Sequence, residues 1–492
     1  MTILIVVENP REWALRIPNV HVVAARDYLN SEEFTTLRTA KVFNLCRSYR
    51  YQSLGYYVSL LAEARGHKPQ PDMTTLLDLR SQSIVRDISE DLDQLIQKSL
   101  ASLQSKEFVL SIYFGKNLAK QHQRLSLNLY NLFPVPLLRA RFVHHRKWQL
   151  QTIGPIAADD IPDSHHDFVI EAATQHFTRS PSRVRRRALA QYDMAILHDP
   201  NEEMPPSDER ALKRFAKAAE RAGFDVEFIT RDDYGRLAEF DALFIRATTA
   251  VNHHTYRFAR RAAAEGLAVI DDPESILRCT NKVYLYEALR RHHIPTPRSH
   301  VVSRGNLKRT VQELGLPAVI KQPDSAFSQG VVLAESPQAF MTQARNMLTR
   351  SELIIAQEYM PTPYDWRVGI YDNRALYVCR YYMAGKHWQI VQRDAHGGRP
   401  REGRAETISV DEAPKRVVNT ALRAARLIGD GLYGVDLKVV GRSCYVIEVN
   451  DNPSIDAGVE DAVLGNALYD EIMRGLKRRV EELKGAFTIK LP

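Results

Sequence analysis

The chain has 492 residues, which is too long for a single hydrophobic core and suggests about three domains. Hydrophobic residues make up 44% and charged residues 26% of the sequence, as in ordinary globular proteins, which argues against a disordered or fibrous chain. The net charge of +8 is small for this length, so charge alone does not indicate a nucleic-acid partner.

The amino terminus and the cysteines bear on the cellular setting. Residues 1–7 contain an apolar run that is too short for a signal sequence and has no basic leader, so they predict a first β-strand. No segment is long enough to span a bilayer. Four widely spaced cysteines predict neither a disulfide framework nor a zinc site (Cys46, Cys279, Cys379 and Cys444). We therefore expect a cytoplasmic protein without a membrane partner.

The first predicted domain covers residues 1–190 and contains alternating strand and helix patterns. Its densest feature is the stretch 44–57, where Arg47 and Arg50 stand among four tyrosines. These arginines could bind a carboxylate or phosphate while the rings stack on a ligand; equally, the tyrosines could pack a helix onto a sheet. Between residues 154 and 182 apolar periodicity fades, which predicts an irregular connection.

A basic run, 179–187, follows this connection and could bind RNA. No aromatic residues are interleaved within the run, so a solvated linker is the better interpretation, and we do not expect a nucleic-acid partner.

The second predicted domain, residues 191–279, alternates strands and helices and indicates a small parallel α/β sheet. Such sheets bind ligands beyond the carboxyl ends of their strands. The residues at those ends are candidate site residues, although each could equally be a helix cap or a turn residue (His198, Asp199, Arg246 and Asp271).

The third predicted domain, residues 280–492, carries three oxygen ligands on two apolar segments. Asp436 lies within Leu432–Val440, and Glu448 and Asn450 lie within Cys444–Asn450. Side chains alternate faces along a strand, so Glu448 and Asn450 point the same way. Mg²⁺ suits a site with one or two carboxylates that is completed by phosphate oxygens.

The turn between these segments decides whether the carboxylates meet. A three-residue turn, 441–443, places Asp436 directly opposite Glu448, whereas a two-residue turn, Gly441–Arg442, places Ile447 there instead. A magnesium site therefore requires the three-residue turn or a bulge.

Lys321 closes an apolar strand ahead of a loop of small polar residues, 322–330. Such a lysine can neutralise nucleotide phosphates while backbone N–H groups cover them. The signal is weak alone and gains weight from the order of the motifs that follow: an apolar strand that ends in Gln357–Met360, then Asp365 and Arg367, and then the oxygen ligands.

In this order of motifs the chain resembles the ATP-grasp superfamily, and most closely the RimK-like amide and peptide ligases, over about residues 193–461. The resemblance implies an ATP-grasp fold over 280–492, in lobes 280–352 and 353–492. A small parallel α/β domain precedes it at 191–279. An extra α/β domain, similar to a RimK-like amino-terminal extension, precedes that at 1–190.

The resemblance also implies roles for individual residues. The ATP site would be built from two lysines, the loop that covers the phosphates, the adenine strand and a ribose contact (Lys282, Lys321, Ser328, Gln329, Gly330, Gln357, Glu358, Tyr359, Met360 and Asp365). Asp436, Glu448 and Asn450 would hold Mg²⁺, with Mn²⁺ as an alternative. The loop has a single glycine, Gly330, where relatives usually have several.

Three cations would act in catalysis. Arg367 and Arg380 would stabilise the transferring phosphoryl group or bind the substrate carboxylate, and Lys386 would replace an arginine found in relatives. Substrate could further contact Arg246, Asn452 and Ser454.

The resemblance implies an ATP-dependent carboxylate–amine ligase that works through an acyl phosphate. Its substrates would be an amino acid, a small peptide or a protein tail, and the chain could assemble into a homo-oligomer. The alternative is an ATP-binding regulatory or scaffolding protein that keeps the fold without turnover.

Overall fold

The computed structural model describes residues 2–11, 13, 15–18, 20–37, 40–157, 160–178, 190–324, 330–383, 391–392 and 401–486. Four sequence predictions fall outside these residues: the basic run 179–187, Ser328, Gln329 and Lys386. The chain forms two compact units, a first unit of residues 1–189 with 232–239 and a second unit of 190–231 with 240–492. The three-domain division of the sequence remains a prediction.

The first unit contains two sheets and the helices that cover them. Its elements are β1 (Thr2–Val7), β2 (His21–Ala24), α1 (Ala25–Asn30), α2 (Glu32–Thr36), β3 (Ala40–Asn44), α3 (Leu54–Ala64), β4 (Lys68–Gln70), α4 (Met73–Asp78), α5 (Gln82–Asp91), α6 (Asp93–Leu100), β5 (Glu107–Tyr113), α7 (Gln123–Leu132), β6 (Leu137–His144), β7 (Trp148–Pro155) and α8 (His166–Thr178). A parallel sheet has the order β2-β1-β3-β4, and an antiparallel sheet has the order β5-β6-β7.

The irregular connection predicted over 154–182 is wrong for residues 166–178, because helix α8 lies there. Its buried residues Val169, Ala172 and Ala173 pack into the core of the first unit at helical spacing. Polar residues flank this apolar group on the same helix, which is why the pattern is hard to recognise in the sequence (His166, Asp167, Thr174, Gln175 and His176).

In the arginine- and tyrosine-rich stretch 44–57, one tyrosine forms a hydrogen bond within the fold and another is exposed. Tyr49 donates a hydrogen bond from its hydroxyl to the Asn44 carbonyl oxygen at 2.7 Å, as a structural residue would. Tyr51 is 66% exposed, and its ring meets that of Tyr56 edge-on at 5.2 Å between centroids. Both interpretations of this stretch therefore stay open.

The second unit contains three larger sheets. Its elements are β8 (Tyr192–Leu197), α9 (Glu209–Ala222), β9 (Phe224–Ile229), β10 (Ala242–Ile245), α10 (His254–Ala264), β11 (Ala268–Ile270), α11 (Pro273–Thr280), α12 (Lys282–Arg291), β12 (Ser299–Val302), α13 (Leu307–Leu314), β13 (Ala318–Lys321), β14 (Val331–Ala334), α14 (Pro337–Met347), β15 (Ile354–Glu358), β16 (Tyr364–Tyr371), β17 (Arg374–Tyr382), β18 (Val391–Gln392), β19 (Arg401–Glu402), β20 (Ala405–Ile408), α15 (Lys415–Ala425), β21 (Leu432–Val440), β22 (Ser443–Asn450) and α16 (Asn466–Ala486).

The parallel sheet of the second unit has the order β11-β10-β8-β9 and confirms the small α/β sheet predicted there. Helix α9 begins at Asp208, whose side chain accepts from the Ala211 amide at 2.7 Å, and ends at Gly223, whose φ is 100°. A side-chain cap and a glycine in the left-handed region are the usual signals for the two ends of a helix.

Two larger antiparallel sheets of the second unit have the orders β12-β15-β13-β14 and β20-β17-β16-β21-β22, and β18 and β19 form a two-stranded antiparallel sheet. The five-stranded sheet buries one face against α15 through apolar residues such as Trp366, Val435 and Leu437. The overall α/β class matches the prediction.

Two further observations concern the cellular setting. All four cysteines are free and buried (Cys46, Cys279, Cys379 and Cys444). Within the described residues, we find no helix with the length and hydropathy needed to cross a membrane.

Candidate active site

The two carboxylates predicted to bind metal face each other across β21 and β22. Asp436 pairs with Glu448, and Gly434 pairs with Asn450. The turn is the two-residue one, since Val440 pairs with Ser443, and the register then shifts between the Leu437–Val446 and Asp436–Glu448 pairs. Ile447 is the extra residue of this bulge. A bulge, rather than a three-residue turn, therefore brings the carboxylates together.

Asp436 is held by a cation and an amide. Arg367, which pairs with Asp436 from β16, donates from Nε to Oδ1 at 2.7 Å and from Nη2 to Oδ2 at 2.8 Å. Asn450 Nδ2 donates to Asp436 Oδ2 at 3.1 Å and to the Gly434 carbonyl oxygen at 3.2 Å. Because the amide nitrogen makes these contacts, the Asn450 amide oxygen is the atom suited to a metal.

Glu448 is paired with Lys282, whose Nζ lies 2.7 Å from Oε1. Burial raises the pKa of Glu448, but the charges of Lys282, Lys321 and Arg367 outweigh burial and hold the pKa below its ordinary value. Glu448 is therefore ionised at neutral pH, as a metal ligand must be.

Lys321 lies at the end of β13 with its Nζ 2.8 Å from Gln357 Oε1, and Gln357 Nε2 in turn donates to Ser299 Oγ at 3.0 Å. Burial lowers the pKa of Lys321 to about 8; nearby Glu448 opposes this shift, and Lys282 adds to it. The ammonium group thus sits where an anionic ligand would stabilise its charge.

A pocket in the second unit contains Lys282, Lys321 and Gln357 together. Its lining is Lys282, Leu285, Tyr286, Leu289, Thr296, Ser299, Lys321, Ile355, Gln357, Val446 and Ile447. Two cations in a lining that also has aliphatic and aromatic side chains suit a ligand with an anionic part and an apolar, planar part. Sequence reasoning missed Ile447, whose place in the pocket follows from the bulge.

Asp365, predicted to reach a ribose, accepts a hydrogen bond from Lys438 Nζ and one from Thr362 Oγ1 at 2.9 Å. Lys438 Nζ also donates to Thr362 Oγ1 at 2.8 Å. Burial raises the pKa of Asp365, and Lys438 opposes that shift. Lys438 was not recognised from the sequence, although its position two residues after Asp436 places it on the same strand face.

Strand β15, which the resemblance predicts to contact adenine, ends at Glu358, just before Tyr359 and Met360. The Glu358 carboxylate accepts from the Arg298 amide at 2.8 Å and from Arg298 Nε at 2.9 Å. The Tyr359 amide donates to the Pro317 carbonyl oxygen at 3.2 Å. Gly330, with φ of 67°, accepts from the Gln322 amide at 2.9 Å and so closes the loop base next to Lys321.

Arg380 does not join the other site residues. It pairs with Trp366, whereas Arg367 pairs with Cys379, so the two arginines point to opposite faces of the sheet. The Arg380 guanidinium carbon lies 4.8 Å from the ring centroid of Trp366, on the face that packs against α15. Arg380 Nη1 also lies 3.5 Å from Glu406 Oε2.

Three predicted substrate residues lie beside the parallel sheet. Arg246 is 1% exposed and donates to Asn452 Oδ1 at 2.7 Å, Ser207 Oγ at 2.8 Å and the Pro453 carbonyl oxygen at 2.9 Å. The Ser454 carbonyl oxygen accepts from the Tyr377 hydroxyl. Arg246 therefore ties two loops together rather than presenting its guanidinium to solvent.

Two other candidates at the edge of the parallel sheet, Asp271 and His198, differ in their surroundings. Asp271 is 3% exposed with its Oδ2 unpaired, and burial raises its pKa well above the ordinary value, with Asp451 adding to the shift. The His198 ring meets that of Phe228 edge-on at 5.4 Å, and burial lowers the pKa of His198.

The donor set suits Mg²⁺ or Mn²⁺ bound together with phosphate. No group of three or more histidine, cysteine or acidic residues is arranged to hold a metal within the described part of the chain. The site instead offers Asp436, Glu448 and the Asn450 amide oxygen, which is a small, hard oxygen set that leaves positions for phosphate oxygens.

Two family models match the chain, a RimK-like ATPgrasp N-terminal domain at residues 25–172 and a RimK-like ATP-grasp domain at residues 279–468. A "Probable alpha-L-glutamate ligase" of Teredinibacter turnerae is 26% identical over 269 residues, which is 51% of this chain and 86% of that protein. One of Psychromonas ingrahamii is 27% identical over 228 residues, 46% of this chain and 72% of that protein. A solved D-alanine–D-alanine ligase from Bacillus anthracis is 16% identical with a TM-score of 0.47 and covers 60% of this chain and 99% of that one.

Proposed function

We propose that this chain, a RimK-like ATP-grasp ligase, uses ATP to activate a carboxylate as an acyl phosphate and then joins it to the amine of an amino acid or peptide. ATP-dependent formation of a C–N bond is the activity that the comparisons support. The observation that carries the proposal is the facing pair Asp436 and Glu448 beside a pocket that contains Lys282 and Lys321.

Different residues of the site suit the phosphates, the base and the ribose of ATP. Lys282 and Lys321 line the pocket, and their positive charges suit the phosphates of ATP. Ile447, Ile355 and Leu285 supply the apolar surface that a base requires. Asp365 and Lys438 form a polar pair on the sheet face that carries Asp436, and this pair suits a ribose hydroxyl.

The metal site lies on the same sheet face as Arg367. When bound by Asp436, Glu448 and Asn450, Mg²⁺ or Mn²⁺ supplies charge that stabilises the transferring phosphoryl group. Arg367 holds Asp436 in a bidentate contact and so orients this ligand. Its guanidinium is also the cation on this face best placed to bind the substrate carboxylate, since Arg380 points to the opposite face.

The acceptor is an amino acid, a small peptide or a protein tail. Because the named relatives are α-L-glutamate ligases, glutamate is the first amino acid to test. Homo-oligomer formation remains a prediction from the sequence.

Glu448→Gln tests the proposal, because the amide has the shape of the carboxylate but lacks the charge that a metal ligand requires. We expect ADP and phosphate release in the presence of ATP, Mg²⁺, glutamate and pooled amino acids to fall at least about 100-fold. Product formation is measured by mass spectrometry, and folding by thermal unfolding.

Glu406→Gln is the matched control, since Glu406 lies on the same sheet but pairs with Arg380 on the other face. Its turnover should match that of the unmodified protein. Unchanged turnover in Glu448→Gln would contradict the metal assignment. Absence of turnover in the unmodified protein with every pool would favour the regulatory ATP-binding alternative.

A further inference from the structure

Tyr381 lies on the face of the five-stranded sheet that carries Arg367, Asp436 and Glu448. It pairs with Asp365 across β16 and β17, and its ring centroid is 5.1 Å from the guanidinium carbon of Arg367. Arg367 in turn holds Asp436. The partly exposed phenol therefore stands one side chain away from a proposed metal ligand, although neither nucleotide nor metal binding requires it.

Glu460 contacts the Tyr381 hydroxyl and is 1% exposed. Its Oε1 accepts the hydrogen bond of the Tyr381 hydroxyl, and its Oε2 accepts from the Asp456 amide at 2.7 Å. The titratable or charged groups that act on this carboxyl are Asp456, Tyr377, Tyr381, Cys379 and Arg246. Burial raises the pKa of Glu460 to about 7, so the carboxylate can accept a proton near neutral pH.

The proposed reaction requires a proton acceptor. An amino group is mostly an ammonium ion at neutral pH, and it must lose a proton before its nitrogen can attack a carbonyl carbon. Among the described site residues, the cations Lys282, Lys321, Arg367 and Lys438 are proton donors. Of the carboxylates, Asp436 and Glu448 are assigned to the metal, and Asp365 is assigned to the ribose and bound by Lys438. The hydrogen-bonded pair Tyr381–Glu460 is the remaining acceptor that our assignment leaves unused.

We propose that Tyr381 and Glu460 together deprotonate the incoming amine, an inference that rests on the ligase function proposed above. The Tyr381 oxygen takes one proton from the ammonium group while the Tyr381 hydroxyl proton passes to Glu460. The amine nitrogen then forms the C–N bond, the bond between the carbonyl carbon and the phosphate oxygen breaks, and the second nitrogen proton leaves with phosphate. Tyr381 is the catalytic residue, and Glu460 acts through it.

Hydroxylamine separates this role from a structural one, because it is largely unprotonated at neutral pH and attacks acyl phosphates without a base. Glu460→Gln and Tyr381→Phe each keep the shape of the residue that they replace. We expect amide formation with an amino-acid acceptor to fall about 100-fold or more in both variants. Hydroxamate formation from ATP, the carboxylate substrate and hydroxylamine should stay at the level of the unmodified protein.

A second readout is the pH profile. Amide formation by Glu460→Gln should recover as the pH is raised towards the pKa of the acceptor amine, since bulk solvent then supplies the neutral amine. Equal loss of amide and hydroxamate formation in both variants would assign the pair a structural role and overturn the inference, as would unchanged amide formation. If the unmodified protein forms no hydroxamate, the ligase function itself fails, and the inference fails with it.

Discussion

Lys321 combines a buried ammonium group with a position in the proposed phosphate pocket. Its pKa is lowered from 10.5 to about 8, chiefly by burial. Phosphate oxygens stabilise the charged form and would raise this pKa in the complex. Nucleotide binding is therefore coupled to proton uptake, because the free protein loses the proton at a lower pH than the complex does.

The direction of this coupling predicts how the affinity for ATP depends on pH. Below about pH 8 Lys321 is already charged and ATP affinity should be constant; above it, affinity should fall by up to about tenfold per pH unit. The measurement is the Kd for ATP by calorimetry between pH 7 and 9.5. Lys321→Arg should bind ATP without this pH dependence, because a guanidinium stays charged. A flat profile in the unmodified protein would contradict the assignment.

Site residues that are related by local spacing could be predicted from the sequence, whereas residues that meet only through tertiary packing could not. The ligands on β21 and β22 follow from alternation along two adjacent strands, which local spacing records. Glu460 meets Tyr381 only through tertiary packing, 79 positions apart, and no local pattern records that contact. Ile447 could have been found, because a two-residue turn places it opposite Asp436 unless it is the extra residue of a bulge.

Among the elements, two hairpins control which side chains share the site, and both combine a two-residue turn with a bulge. In the β21–β22 hairpin the extra residue is Ile447, and the bulge brings Asp436 and Glu448 face to face. In the β16–β17 hairpin the extra residue is Leu376. Without that bulge, Arg380 would pair with Asp365 and share a face with Arg367.

The family resemblance placed Arg380 in the site, and the second bulge turns it to the opposite face of the sheet from Arg367. Counting from the Asp372–Asn373 turn without a bulge would bring both arginines to one face. Both turn residues have positive φ, 48° and 58°, as a tight two-residue hairpin turn requires. Strand limits were predictable to within a few residues, but bulges were not, because no residue type specifies them.

Gly441→Ala tests the contribution of the metal-hairpin turn. Gly441 has φ of 58°, and nothing lies within 4 Å of the position that a Cβ would take, so only backbone strain opposes the substitution. We expect the free energy of unfolding to fall by about 1 kcal/mol, measured with urea. Gly154→Ala, at a position equally open but without positive φ, is the control and should change stability by less than about 0.5 kcal/mol.

At the scale of the molecule, the segment 232–239 belongs to the first unit although it lies between β9 and β10 in the chain. Its Glu239 is buried, with Lys41 Nζ at 2.7 Å, Arg236 Nη2 at 3.2 Å and His176 Nε2 at 3.4 Å. Burial raises the pKa of Glu239, but the charges of Arg236 and Lys41, together with the nearby His176 ring, outweigh it and hold the pKa well below its ordinary value.

A simple deletion of residues 1–189 should therefore give an aggregating chain, because it exposes Leu237 and removes Lys41 and His176 from Glu239. Deletion combined with replacement of 232–239 by a short Gly/Ser linker should give a soluble protein that still binds ATP. Soluble yield and calorimetric ATP binding measure the two outcomes. If the simple deletion is as soluble as the linker version, the packing of this segment contributes little to stability.

The burial of all four thiols has a practical consequence for following this protein in solution. A maleimide reagent should leave the folded chain unmodified, because no native sulfur is accessible to it. Arg442→Cys, in the exposed hairpin turn, would then provide a single attachment point for a fluorophore. Its emission would report on the hairpin that carries Asp436 and Glu448 while ATP and metal are added, without removal of any native cysteine.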